Sequence, residues 1–172
     1  LITRYEVTNT DEREMLCAVG GHPGINIPFG AGAFEDYYLD FEKQTPVVRQ
    51  LFDESDRYAA GKCVPYALMD GTKLPLRHDL FDHVAIVLEN TAGVVHIRSD
   101  KESRYVTMRY EEYPYIGFWH MNKTDAPYVC LEPWSAMPGL VGKTVALEEK
   151  TDLMRISPKA SKTTSFTLEI HE

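Results

Sequence analysis

No long segment of this chain repeats its apolar residues at the 3.6-residue spacing of a helix. Short apolar runs recur instead, separated by clusters of turn formers about every eight to twelve residues, the pattern of an all-β sandwich or barrel. The last run is the clearest. Phe166, Leu168 and Ile170 alternate with Ser165, Thr167 and Glu169, predicting a strand with one buried face. Leu1 to Thr8 and Met15 to Val19 flank Asn9-Thr10-Asp11-Glu12 and read as a hairpin. Phe81 to Glu89 and Gly93 to Ser99 flank Asn90-Thr91-Ala92-Gly93 and read as a second hairpin. Tyr37 to Phe41 and Arg104 to Tyr110 are further strands. Pro46 to Lys62 reads as irregular, with a helical turn near Val47 to Phe52. Lys143 to Lys162 reads as loops around one strand near Leu153 to Ile156. The expectation is an antiparallel all-β fold, with residues 1–172 as one domain.

The composition narrows the partners. A net charge of -8 disfavours nucleic acid and anionic membrane. No apolar run approaches the length of a membrane-spanning helix, and no charged n-region precedes an apolar one, so no signal peptide is visible. Cys17, Cys63 and Cys130 are odd in number and far apart. They form no C-x-x-C pair, so neither a zinc site nor a disulfide framework is expected. A reducing cytoplasm fits best. Leu1 begins in mid-strand, which points to a chain that starts inside a larger protein.

The chemistry concentrates in Tyr115 to Trp134. Tyr115 to His120 is one strand, Asn122 to Asp125 the turn and Tyr128 to Leu131 the second strand. Glu132 follows between Leu131 and Pro133, then Trp134. A carboxylate among apolar groups has its pKa raised, which suits proton transfer near neutrality; the alternative is a surface charge at a strand end. Of the six histidines, His22 has the most unusual setting, between Gly20-Gly21 and Pro23-Gly24. Held there, it suits a general acid, or a turn histidine bonded to a carbonyl. His83 and His120 are secondary candidates, whereas His78, His96 and His171 read as surface or strand-face residues. Asp36, Asp79 and Asp82 lie near strand ends, where sites on β scaffolds collect. Trp119, Trp134, Phe118, Tyr37 and Tyr115 are candidates to stack on a sugar ring, or to fill the core.

Four motifs occur in order: V-G-G-H-P-G-I-N-I-P, E-D-Y-Y-L-D-F-E, G-F-W-H-M and A-P-Y-V-C-L-E-P-W. Together they resemble the aldose 1-epimerase (galactose mutarotase) family, and within it the bacterial LacX-like branch. The resemblance covers nearly the whole chain. It implies a β-sandwich of the galactose mutarotase type, of which this chain matches the C-terminal portion, with N-terminal strands missing. It implies interconversion of the α and β anomers of a free aldose without cofactor or metal. Glu132 matches the family's catalytic glutamate and His22 its histidine acid. Asp82 corresponds to a sugar-binding aspartate, although LacX-like chains carry an acidic residue nearer Val84. With Trp119 and Trp134 as sugar contacts, the expected partner is a small aldose. The strand edge that the missing portion leaves open leads one to expect homo-oligomerisation, or poor stability of the chain unless that portion is supplied. The alternatives are a noncatalytic carbohydrate-binding sandwich and a glycoside hydrolase. The latter needs two carboxylates flanking the bond, and only Glu132 has that setting.

Overall fold

The computed structural model describes residues 1–53 and 58–172. Its strands are β1 (Ile2–Thr8), β2 (Met15–Cys17), β3 (Gly24–Asn26), β4 (Tyr37–Asp40), β5 (Val48–Phe52), β6 (Ala59–Pro65) and β7 (Lys73–Pro75), then β8 (Ile86–Glu89), β9 (Val94–Ser99), β10 (Glu102–Arg109), β11 (Tyr115–Trp119), β12 (Tyr128–Trp134), β13 (Met154–Ile156) and β14 (Ser161–His171). Three short 3-10 turns are the only helical elements among the described residues. None of them is long or apolar enough to cross a membrane.

Two 6-stranded sheets carry the fold, in the orders β1-β14-β10-β9-β4-β7 and β3-β12-β11-β8-β5-β6, and β13-β2 forms a small third sheet. The strands pair antiparallel throughout these sheets among the described residues. The core lies between the two large sheets. Leu39, Phe41, Val95, Ile97 and Met108 enter it from the first sheet, and Ile86, Leu88, Ile116, Phe118 and Leu131 from the second. The fold is therefore the antiparallel β-sandwich that the strand pattern predicts.

The second sheet departs from simple alternation. Val87, Cys130 and Glu132 point away from the core, yet they are only 0%, 5% and 4% exposed. Strands buried on both faces read as continuous apolar runs, which is why β8, β11 and β12 lack a period of two.

Four expectations about organisation are corrected. First, β1 and β2 do not form a hairpin: β1 pairs with β14, and β2 pairs with β13. The intervening turn is tied to the C-terminal region instead. Asn9 is buried, its side-chain amide donates to the carbonyls of Arg13 and Ile156, and its backbone N–H donates to Ala160. Second, β8 and β9 belong to different large sheets. Ile86 and Leu88 of β8 and Val95 and Ile97 of β9 enter the core from opposite sides, so the Asn90–Gly93 turn crosses the sandwich. Asn90 and Gly93 take φ values of 62° and 76° there. Phe81 itself sits in a 3-10 turn, His78–Phe81. Third, Val47 to Phe52 is no helical turn but contains β5, paired to β6 and β8; residues 54–57 of the span read as irregular lie outside the described residues. Fourth, Ile170 does not continue the buried face of Phe166 and Leu168. It is 82% exposed and lines an open groove with Leu1 and Phe29.

Candidate functional site

Period-two alternation sorts β12 into two faces. Val129 and Leu131 go to the core, while Cys130, Glu132 and Trp134 go to the outer face. Glu132 is thus in mid-strand and not the surface charge of a strand end. Across the ladder it faces Gly117. A Cβ on Gly117 would lie 3.2 Å from the Glu132 Cβ and 3.4 Å from Oε2, so the glycine leaves room for the carboxylate.

The segment before β3 is tied alongside β12. Val19 N donates to Ser135 Oγ at 2.9 Å, and Ser135 N donates to Val19 O at 3.0 Å. Gly21 N donates to Pro133 O at 3.0 Å, and Leu131 N donates to Pro23 O at 2.9 Å. His22 is carried over the strand between these ties. Its Nε2 lies 3.0 Å from Glu132 Oε1, and its side chain remains 58% exposed where that of Glu132 is 5% exposed. Two residues 110 positions apart are therefore in direct contact, closer than the one-sugar-ring separation expected of an acid and base flanking a ring. Burial raises the Glu132 pKa above the usual carboxylate range, and the nearby His22 charge and a hydrogen bond from Trp134 partly offset this.

The pair forms one wall of a cleft of about 280 Å³. Trp119 and Trp134 line it. The Trp119 ring meets His22 edge-on at 5.8 Å, and its Nε1 donates to Asn122 Oδ1 at 2.9 Å. Asn122 in turn donates through Nδ2 to the His83 carbonyl at 2.7 Å. Phe52, Val84, Ala85 and Asn122 complete the lining, and none of them was singled out from sequence as a site residue. A turn polar residue three positions after a tryptophan was the available signal for Asn122. Phe52 is brought to the cleft by the pairing of β5, and Val84 and Ala85 by the segment that leads into β8. A larger groove of about 830 Å³ lies elsewhere, but the acid–base pair marks the smaller cleft as the candidate site.

Other candidates fall outside the cleft. Asp82 ends the His78–Phe81 turn and does not line it; Val84 does. Phe118 and Tyr37 are buried core residues. His120 is fully buried, and burial lowers its pKa. His78, expected at the surface, packs with it: the ring nitrogens Nδ1 of His78 and Nε2 of His120 are 3.0 Å apart, and Phe34 stacks on His78 at 4.1 Å. His96 is a strand-face residue but a buried one, hydrogen-bonded to Thr107 and Glu42.

One feature of the site has no counterpart in sequence spacing. Cys130 shares the outer face with Glu132, and one donor atom each from His22, Cys130 and Glu132 lies within 4.8 Å of the others. Burial and the Glu132 charge push the Cys130 thiol up to about 11, so it is a protonated, neutral group.

No protein-family model matches the chain. Two curated relatives do: the chromosomal and plasmid LacX proteins of Lactococcus lactis subsp. lactis. Each is 28% identical over 172 residues, 98% of this chain but 57% of the relative's own length. Among solved structures, a galactose mutarotase-like protein from Lactobacillus casei ATCC 334 superposes with a TM-score of 0.87 at 27% identity, covering 99% of this chain and 58% of that one. A galactose mutarotase related enzyme from Lactobacillus acidophilus gives 0.84 at 26% identity, covering 99% and 57%. Taken with the sandwich and the ordered motifs, these similarities show that the chain resembles, over nearly its whole length, the LacX-like branch of the aldose 1-epimerase (galactose mutarotase) family.

Proposed function

We propose that this chain carries the acid–base centre of a mutarotase, which interconverts the α and β anomers of a free hexose by opening and reclosing the ring. The observation that carries the reading is the 3.0 Å contact between His22 Nε2 and Glu132 Oε1 at the wall of a tryptophan-lined cleft.

The reaction needs one proton removed and one supplied. Ionised Glu132 takes the proton of the C1 hydroxyl while protonated His22 gives one to the ring oxygen. The C1–O5 bond breaks with its electron pair going to O5, and C1 becomes an aldehyde carbon. Rotation about C1–C2 presents the other face, and the same transfers in reverse close the ring. Both reacting oxygens are bonded to C1, so they are separated by a single bond angle. A base and an acid in near contact match that spacing better than a pair held a full sugar ring apart. The raised pKa of Glu132 makes it a stronger base than an exposed carboxylate. The indole faces supply apolar surface for the sugar's C–H face. Glu132 is the one carboxylate among the described residues that line the cleft, which is one too few for glycoside hydrolysis.

The chain spans 57% of the curated relatives' length, so the test is run on this chain and on a version extended to that length. Glu132→Gln keeps shape but removes the base. Polarimetry of freshly dissolved α-glucose or α-galactose should show a loss of about 10²–10⁴-fold in catalysed rate. His22→Asn should lose a similar factor. The double variant should lose less than the product, because both groups act on one transition state. Near-normal mutarotation by a folded Glu132→Gln protein rejects Glu132 as the base. Sugar binding without any catalysed rate in the parent replaces the enzyme reading with that of a binding module.

A further inference from the structure

We infer that His22, Cys130 and Glu132 form a binding site for a thiophilic divalent cation of the zinc type, and that zinc bound there silences the acid–base pair. The binding half stands on geometry alone; the silencing half rests on the function proposed above.

The donor set is mixed in a way that selects the ion. A thiol, an imidazole and a carboxylate lie with one atom each within 4.8 Å of the others. Zinc takes Cys, His and carboxylate ligands at about 2.0–2.3 Å, which puts tetrahedral donors roughly 3.3–3.8 Å apart. The His22 and Glu132 atoms stand at 3.0 Å, so only small movements bring the three around one ion. His22 is the exposed member, and rotation of its side chain makes most of that adjustment. Cys130 and Glu132 are fixed two residues apart on one face of β12. Hard cations such as magnesium select all-oxygen sets, whereas sulfur with imidazole favours zinc.

Charge supports the same conclusion. On binding, the metal–sulfur bond forms and the Cys130 proton leaves to solvent. One thiolate, one carboxylate, a neutral imidazole and Zn²⁺ then sum to zero in a wall where Cys130 and Glu132 are 5% and 4% exposed. Gly24 leaves the sulfur uncrowded, since a Cβ there would come no closer than 3.7 Å to Sγ. His22 and Glu132 line the cleft, so water or a sugar oxygen reaching them from it would complete the shell. Coordination occupies the lone pairs that Glu132 and His22 need for proton transfer, so the metallated cleft holds the sugar's place without its chemistry.

Co²⁺ titration tests the binding half, read by thiolate-to-metal charge-transfer absorption. One cobalt per chain is expected to give the band, and Cys63→Ser and Cys17→Ser should keep it while Cys130→Ser loses it. His22→Ala alters an exposed loop side chain and leaves the strand core intact. It should weaken cobalt binding at least about 10-fold, the lower end of what even an outer-shell partner contributes. Zn²⁺ titration in the polarimetric assay tests the silencing half: the catalysed rate should fall at least about 10-fold and return on adding EDTA. No band, or a band that survives Cys130→Ser, overturns the site. A normal band with an unchanged or raised rate in zinc overturns the silencing. A chain that never catalyses mutarotation fails the proposed function while leaving the cobalt result readable.

Discussion

Glu132 is a carboxylate that the fold would hold more comfortably as an acid. Its pKa is raised by burial, so the native state favours the neutral form more than the unfolded chain does. The stability that follows is fully present below the carboxyl's unfolded pKa and is lost as pH rises through the raised folded value. At neutral pH the ionised side chain is therefore a local cost, only partly offset by His22 and Trp134. Glu132→Gln should raise Tm at pH 8, and the gain should disappear as pH falls below the ordinary carboxylate range. A Tm difference independent of pH would show that burial does not disfavour the ionised form. Such a gain in stability with a loss of activity is what a strained catalytic group leads one to expect. The same shift sets the acid limb of the rate profile. Catalysis by the parent should fall on the acid side at a pH above that of an ordinary carboxylate, and kcat/KM measured against pH checks this.

At the scale of elements, the site is a matter of which strands pair. Gly117 on β11 faces Glu132 on β12, and the missing side chain is what lets the carboxylate lie against the sheet. Gly117→Ala places a methyl at 3.2–3.4 Å from Glu132 atoms, closer than side chains ordinarily pack. The carboxylate must give, so mutarotation should drop while circular dichroism stays that of the parent. An unchanged rate would mean that the position of Glu132 is less constrained than the ladder implies. The β11–β12 unit was legible because its two apolar runs and polar turn are adjacent in sequence. His22 and Glu132 were legible only through ordered motifs, since their contact depends on β3 joining the far edge of β12. The false hairpins arose where adjacent apolar runs belong to different sheets. Local pattern marks a strand but does not choose its partner, and here the choice was made by long-range burial, as with Asn9 and the β14 region. Cys130 read only as one of three scattered cysteines because nothing local ties residue 130 to residue 22.

At the scale of the whole molecule, the His22 loop is where the two large sheets meet. The loop runs beside β12 of the second sheet, yet it is held from beneath by the first. Tyr5 on β1 donates its hydroxyl to the Gly20 carbonyl at 3.0 Å. Phe166 on β14 lies against Gly21 so closely that a Cβ there would stand 2.5 Å from the ring. Tyr5 and Tyr113 flank the same ring at centroid distances of 6.5 and 6.1 Å. The acid thus depends on a strand from the end of the chain, and altering the packing between sheets should be felt in catalysis. Phe166→Ala should cost about 3–5 kcal/mol, as for other large buried aromatics, and should lower the rate by loosening His22. Gly21→Ala should do the converse: its methyl meets a ring confined by its neighbours, so the loop lifts and His22 moves off Glu132. Combining Gly21→Ala with Phe166→Leu vacates part of the space the methyl needs. The double variant should therefore recover some of the rate lost by Gly21→Ala alone, a coupling that a double-mutant cycle reads directly. Strictly additive losses in that cycle would show that the β14 strand does not set the position of the histidine.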